Sequence, residues 1–204
     1  MYETTNLILT LEWELFQTVQ NIGGRAECQD DRNTFFLMRA SQLDAWTEEM
    51  RRSYLDDLRL ARAEGRNPLA EKYGYMMERT DPAGYARISD TLPPRSPEKL
   101  ALISVICAVH TDWMLSLRRT YPALTGRGRS VDRDADSLYA TSFSTYLAGE
   151  LATYSEATLT LYRDYVQSLV RDGKNLNEHI LRNTVAGYGY PSLEAAEAAL
   201  SGTV

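Results

Sequence analysis

The chain has 204 residues, 44% hydrophobic and 25% charged, a globular composition that can bury one sizeable core and excludes a disordered protein. Its formal charge of −6 supplies no field to gather nucleic-acid phosphates or anionic headgroups, so no nucleic acid and no membrane is expected as a partner. No unbroken apolar run approaches the roughly 18 residues of a bilayer span, and no basic-then-apolar leader opens the chain, so a cytoplasmic protein is expected.

Residues 6–22 place Leu7, Ile8, Leu11, Leu15, Thr18, Val19 and Ile22 on one helical stripe and Leu9, Trp13 and Phe16 on another. A helix apolar on two faces is contacted on two faces, which makes it central. Glu12 and Glu14 fall on the flanks between the stripes and need partners there. Asn21-Ile22-Gly23-Gly24 reads as the stop, and Arg25 to Asn33 as a polar connection. A long amphipathic helix is expected over 34–64, ended by Gly65.

Asn67-Pro68, Asp81-Pro82 and Ser96-Pro97 each pair a capping side chain with a proline that gives up no bond at the first helical position. They predict helices near 68–79 and 82–89 and a strongly apolar one over 97–119. A second long helix is expected over 136–172, a short one after Asn175, and a terminal one over 192–200. No stretch alternates as a strand would, so the fold class is all-α, without a sheet.

A fixed step of 108 residues joins Tyr54 to Tyr162, Gly65 to Gly173 and Asn67 to Asn175. Residues 33–67 laid on 141–175 also pair Phe35 with Phe143, Leu43 with Leu151, Glu48 with Glu156, and Gln42 with Glu150. Upstream, Glu12-Trp13 matches Asp112-Trp113, and Gly24-Arg25 matches Gly126-Arg127. The expectation is one domain over 1–204, a helical bundle of two pseudo-symmetric repeats near 6–80 and 97–190. Each repeat has a buried helix, a Gly-Arg loop and a long amphipathic helix. The exchange of halves would bring Gln42 toward Glu150, which has Tyr146 and Tyr154 one turn to either side.

Several of these blocks resemble a known family. Glu12-Trp13, Asn21, Gly23 to Ala26, Cys28-Gln29, Thr34-Phe35, Met38-Arg39 and Ser41-Gln42 are similar to the opening block of domain of unknown function 4125. So are Glu71-Lys72-Tyr73, Thr145 to Leu147, Gly149 to Leu151, Thr153 to Ser155, Gly173 to Leu176, and Tyr188 to Tyr190. The resemblance spans nearly the whole chain and implies no reaction.

Arg25, beside two glycines, can clamp a ligand carboxylate or phosphate, or fix its loop through Glu12 or Glu14. Cys28 near Arg25 can be an activated thiolate or a loop-lining thiol, with His110 the candidate base for the first role. Glu12, Glu14, Asp112 and Glu150 could hold magnesium or manganese, yet acid–arginine pairing accounts for the same residues, so no metal ligand and no cofactor is assigned. Lys72 is read as a solvated helix lysine rather than an imine-forming one, and Tyr54 as core.

The resulting expectation is a small-molecule enzyme or ligand-binding protein with an acid, arginine and tyrosine pocket. Glu14, Glu150 and Tyr154 are its candidate catalytic residues. Glu12, Arg25, Cys28, Gln29, Arg39, Gln42, His110 and Asp112 are its candidate ligand contacts. Arg25 and Arg39 would hold an anionic metabolite while Glu150 or Glu14 moves a proton. The partner is a small-molecule ligand, with a homodimer a further candidate. The rival expectation is a noncatalytic helical interaction or regulatory protein whose polar interior only specifies packing.

Overall fold

A computed structural model describes residues 3–20, 24–131 and 133–202, and among these it contains eleven α-helices and no strand. The first half holds α1 (Glu3–Gln17), α2 (Arg32–Leu43), α3 (Glu48–Ala63), α4 (Pro68–Thr80) and α5 (Pro82–Ile88). The second half holds α6 (Pro97–Thr120), α7 (Pro122–Thr125), α8 (Phe143–Leu151), α9 (Glu156–Arg171), α10 (Leu176–Gly187) and α11 (Leu193–Ser201). The class is all-α, as the missing strand pattern predicts.

Capping chemistry fixes most helix starts. The side chains of Asn67, Asp81, Ser96 and Asn175 each accept a backbone N–H of the helix that follows. The two long helices differ from expectation. Thr47, in extended backbone, accepts Met50 N at 3.2 Å and starts α3 afresh, so 34–64 is split into α2 and α3. Ser155 caps Thr158 N at 3.2 Å and separates α8 from α9 in the same way. Each split turn carries a buried aromatic, Trp46 or Tyr154, so the apolar period runs on through a break that the cap dictates. The expected start at Asp136 also fails, because its carboxylate accepts from Ser142 N and Thr145 Oγ1, both at 2.6 Å, and anchors a loop. At the other end α1 stops at Gln17, and the proposed stop at Asn21 to Gly23 lies outside the described residues.

The main packed helix pairs other than those of α7, which packs on α6 and α11, have counterparts when the halves are exchanged. α1 packs on α2 and α3 as α6 packs on α8 and α9; α4 crosses to α8 as α10 crosses to α2; α3 meets α9. Both α3 and α9 are 16 residues long. They end alike: Gly65 and Gly173 take φ of +70° and +68°, and the next amides bond back to Ala61 O and Leu169 O, both at 2.8 Å.

The register of α1 on α6 differs from the one the Trp pairs suggest. Asn67 Nδ2 donates to Leu15 O at 2.8 Å, and Asn175 Nδ2 to Trp113 O at 3.3 Å. Leu15 therefore stands opposite Trp113 in the exchange, which pairs Ile8 with Ile106 and Glu12 with His110. Asp112 is not the counterpart of Glu12; it is exposed on the outer face of α6.

The core runs along the shared interface, with Ile8, Leu9, Leu43, Leu58, Ile106, Leu151, Leu159 and Val166 buried, each worth about 1.5–3 kcal/mol of transfer. At its centre Trp46 lies edge-on to Tyr154, ring centroids 6.0 Å apart, and Tyr54 sits 4.6 Å from Tyr154. By length and composition α6 is apolar enough to cross a membrane, contrary to the expectation that no segment would be. Its Ile103, Ile106, Cys107, His110 and Leu117 are buried in a fold where it packs on α8, α9 and α10.

Candidate functional site

α1, α2, α4 and α8 bring four charged side chains to one wall of a 150 Å³ cavity. Arg39 on α2 is the hub. Its Nε and Nη2 donate to the two oxygens of Glu12 at 2.8 and 2.6 Å, and its Nη1 donates to Glu150 Oε1 at 2.8 Å and to Gln42 Oε1 at 2.6 Å. Lys72 on α4 donates to Glu150 Oε2 at 2.8 Å and lies 3.6 Å from the centroid of Tyr146. The charges thus alternate along the wall in the order Lys72, Glu150, Arg39, Glu12, and sum to zero.

Phenols and an amide complete the acceptors. Tyr54 OH donates to Glu12 Oε1 at 2.6 Å, Tyr154 OH to Glu150 Oε1 at 2.8 Å, and Gln42 Nε2 to Glu150 Oε1 at 3.2 Å. The remaining walls are Phe16, Phe35, Met38, Pro68, Leu69, Tyr73, Tyr146 and Thr153. Helix contact is close here because residue 149 is glycine, which lets the backbone of α8 approach Lys72 of α4.

These ions are buried, Glu12 to 2% and Glu150 to 6% exposure. Burial works to raise the Glu150 carboxyl, but the Arg39 and Lys72 charges outweigh it and hold it below the usual carboxylate range. Burial works to lower the Lys72 ammonium, and Glu150 overcomes that and raises it. Burial, reinforced by Glu12 and by Glu150, pushes the Tyr54 and Tyr154 phenols up. Glu150, Lys72, Tyr54 and Tyr154 therefore keep one charge state across neutral pH.

Of the expected site residues, Glu12, Arg39, Gln42, Glu150 and Tyr154 come together here. Glu14 does not: it points outward from α1 and pairs with Arg62 at 2.9 Å. Arg25 is exposed, with its Nε on Asp30 Oδ1 at 2.9 Å and its Nη2 on Gln29 O at 2.9 Å, so it holds its own loop and clamps neither Glu12 nor Glu14. Cys28 is exposed, whereas His110 is buried.

Gln29 is buried as a loop clasp: its Oε1 accepts Ala26 N at 2.9 Å, and its Nε2 donates to Phe16 O at 2.9 Å and Val19 O at 3.1 Å. His110 is buried in the other half, its Nδ1 2.6 Å from Asn177 Oδ1, while Asp112 lines an open groove on α6. Glu12, Glu14, Asp112 and Glu150 therefore do not converge, and among the described residues no group of three or more His, Cys, Asp or Glu is placed to hold a metal ion.

Lys72 and Tyr54 enter the site from outside the expected set. Lys72 follows Pro68 by one turn and precedes Tyr75 and Met76 by another, all buried, so the helical period already places it on the apolar stripe. Tyr54 belongs to the core as its spacing predicts, and its hydroxyl is the group that reaches Glu12.

Fold and site together define an all-α bundle with a charge-balanced, buried pocket between its two halves. The chain belongs to the family described as protein of unknown function DUF4125, which matches residues 3–198. No curated protein and no solved structure matches it.

Proposed function

We propose that the protein binds a small molecule in the cavity above Lys72, Glu150, Arg39 and Glu12, recognising it with fixed charges rather than by exchanging a proton. The observation that carries this reading is a comparison internal to the chain. At the exchanged positions Arg39 becomes Leu147, Lys72 becomes Ile180 and Glu12 becomes His110, and Leu147 and His110 are buried in the same helix framework. Packing is thus achieved at the exchanged position without the ions, although burying each costs several kcal/mol before pairing. Charges that the architecture does not require are best explained by a ligand. The rival reading, in which polar residues only specify helix pairing, does not account for their presence at one of the two exchange-related positions and not at the other, where Gln42, Leu147, Ile180 and His110 stand.

An acid–base role for Glu150 loses support, since two cations hold it ionised. The cavity of 150 Å³ is smaller than the usual pocket for a drug-sized molecule and limits the ligand to a compact one.

The reading is tested by neutralising the wall as a unit, with Glu12→Gln, Arg39→Leu, Lys72→Ile and Glu150→Gln combined. Helical circular dichroism should be kept and Tm should stay at or above that of wild type, while thermal shifts that wild type shows with a metabolite library disappear. A combined variant melting far below wild type would make the charges structural and defeat the proposal.

A further inference from the structure

We infer that the ligand is a small zwitterion, held with its carboxylate toward Lys72 and its ammonium toward Glu12. The inference rests on the pocket reading above and adds the ligand's chemical class and orientation.

Hydrogen-bonding capacity along the wall is spent in the middle and spare at the ends. Glu150 Oε1 already accepts from Arg39, Gln42 and Tyr154. Arg39 is engaged by Glu12, Gln42 and Glu150. At one end, Lys72 gives one N–H to Glu150 and lies over Tyr146, which leaves an ammonium with three donors at least one more to offer. The phenols of Tyr73 and Tyr146, also on the wall, make no hydrogen bond among the described residues. Arg129 lies 4.3 Å from the Tyr146 centroid and is exposed, which adds positive charge to this end.

The other end has the opposite character. Glu12 Oε2 accepts one bond, from Arg39 Nε, so a carboxylate oxygen with a free acceptor position borders the cavity. The Phe16 and Phe35 rings, stacked with centroids 5.2 Å apart, line the same cavity, and aromatic rings attract an ammonium group. A donor-rich positive end and an acceptor-rich, aromatic end face one small space. A simple anion would satisfy only the first and a simple amine only the second, while either would add net charge to a neutral, buried cluster.

The test is calorimetric titration and thermal shift on the full chain with alanine, β-alanine, 4-aminobutyrate, 5-aminovalerate and 6-aminohexanoate. Monocarboxylates and primary amines of matching length are run in parallel. One length of zwitterion should bind and raise Tm, with the matching acid and amine weaker by about tenfold or more. Lys72→Met should weaken the zwitterion by a similar factor and favour the amine, and Glu12→Gln should favour the acid, each variant checked for folding by circular dichroism.

Equal binding of the matching acid or amine to wild type, or no binding by any zwitterion, overturns the inference. Neither result touches the pocket reading, which is decided by the melting of the combined neutral variant and the library shifts.

Discussion

Gly149 stands where a side chain would strike Lys72: a Cβ added there comes within 2.9 Å of Lys72 O and 2.6 Å of Met76 Cγ. The α4–α8 crossing, and with it the 2.8 Å bond from Lys72 to Glu150, depends on that missing methyl group. Met76 is flexible and can turn aside, but the Lys72 carbonyl belongs to the helix and cannot. Gly149→Ala should therefore cost about 1–3 kcal/mol as an overpacked contact and weaken the ion pair. Urea unfolding of the variant checks the first effect, and loss of ligand-induced thermal shift checks the second.

Arg39 touches both carboxylates, so its removal differs from removal of the whole cluster. Arg39→Met leaves Glu12 and Glu150 buried with only phenol, amide and lysine partners, and should destabilise by about 3–5 kcal/mol at neutral pH. Glu150 in the wild type is held below the carboxylate range, so its contribution is present above the unfolded carboxyl pKa and is lost as pH falls through the folded value. Without Arg39 its largest stabilising charge is gone, and acid should restore part of the lost stability by protonating a carboxyl. Unfolding free energies at pH 7 and at about pH 3, below the unfolded carboxyl value of 4.5, distinguish the two behaviours: a variant that loses stability in acid as the wild type does would contradict this account.

Helix starts were legible where a capping residue meets proline, as at Asn67, Asp81 and Ser96. The breaks before Thr47 and Ser155 were hidden because Trp46 and Tyr154 keep the apolar rhythm through the turn, and periodicity outweighs one capping hydroxyl in such a stretch. Within the site, Glu12 could be read from its place between apolar stripes, Gln42 and Glu150 from the 108-residue step that joins them, and Arg39 from the family-like block and from its lack of a charged counterpart at Leu147. Arg25, Cys28 and Gln29 do not join the charged wall, since Arg25 holds the Gln29 carbonyl and Gln29 clasps the end of α1 behind it. Lys72 is hard to find because lysine on a helix is solvated in most proteins, and its burial depends on a glycine in a different helix.

His110, the counterpart of Glu12, provides a pH test away from the ion cluster. Burial lowers it to about 4, despite the hydrogen bond with Asn177. Asn177 Nδ2 donates to His110 O at 2.8 Å, which leaves its Oδ1 to accept from Nδ1–H and assigns the neutral tautomer. Nε2 is then a buried acceptor without a hydrogen-bond partner among the described residues. With a folded pKa below the unfolded value of about 6.5, the stabilising contribution is full above pH 6.5 and is lost as pH falls toward 4, by about 3 kcal/mol in total. Substituting His110→Gln should flatten that part of the stability–pH curve measured by urea unfolding. A curve of unchanged slope would show that His110 is not the group responsible.

The loop after α1 sets an exposed ion pair against a buried clasp, and the two should respond very differently. Arg25 and Asp30 are about half and two-thirds exposed, and such pairs contribute about 0–1 kcal/mol, so Arg25→Ala should barely move Tm. Gln29 is 1% exposed and joins Ala26 N to the carbonyls of Phe16 and Val19. Gln29→Ala would leave buried backbone groups unsatisfied at about 1–3 kcal/mol and release the segment that carries Phe16 to the cavity wall. Ligand affinity should fall with it, whereas Arg25→Ala should keep wild-type affinity. If Arg25→Ala abolished binding while Gln29→Ala left it intact, the ligand would be bound at the loop and the cavity over Glu12 would not be the site.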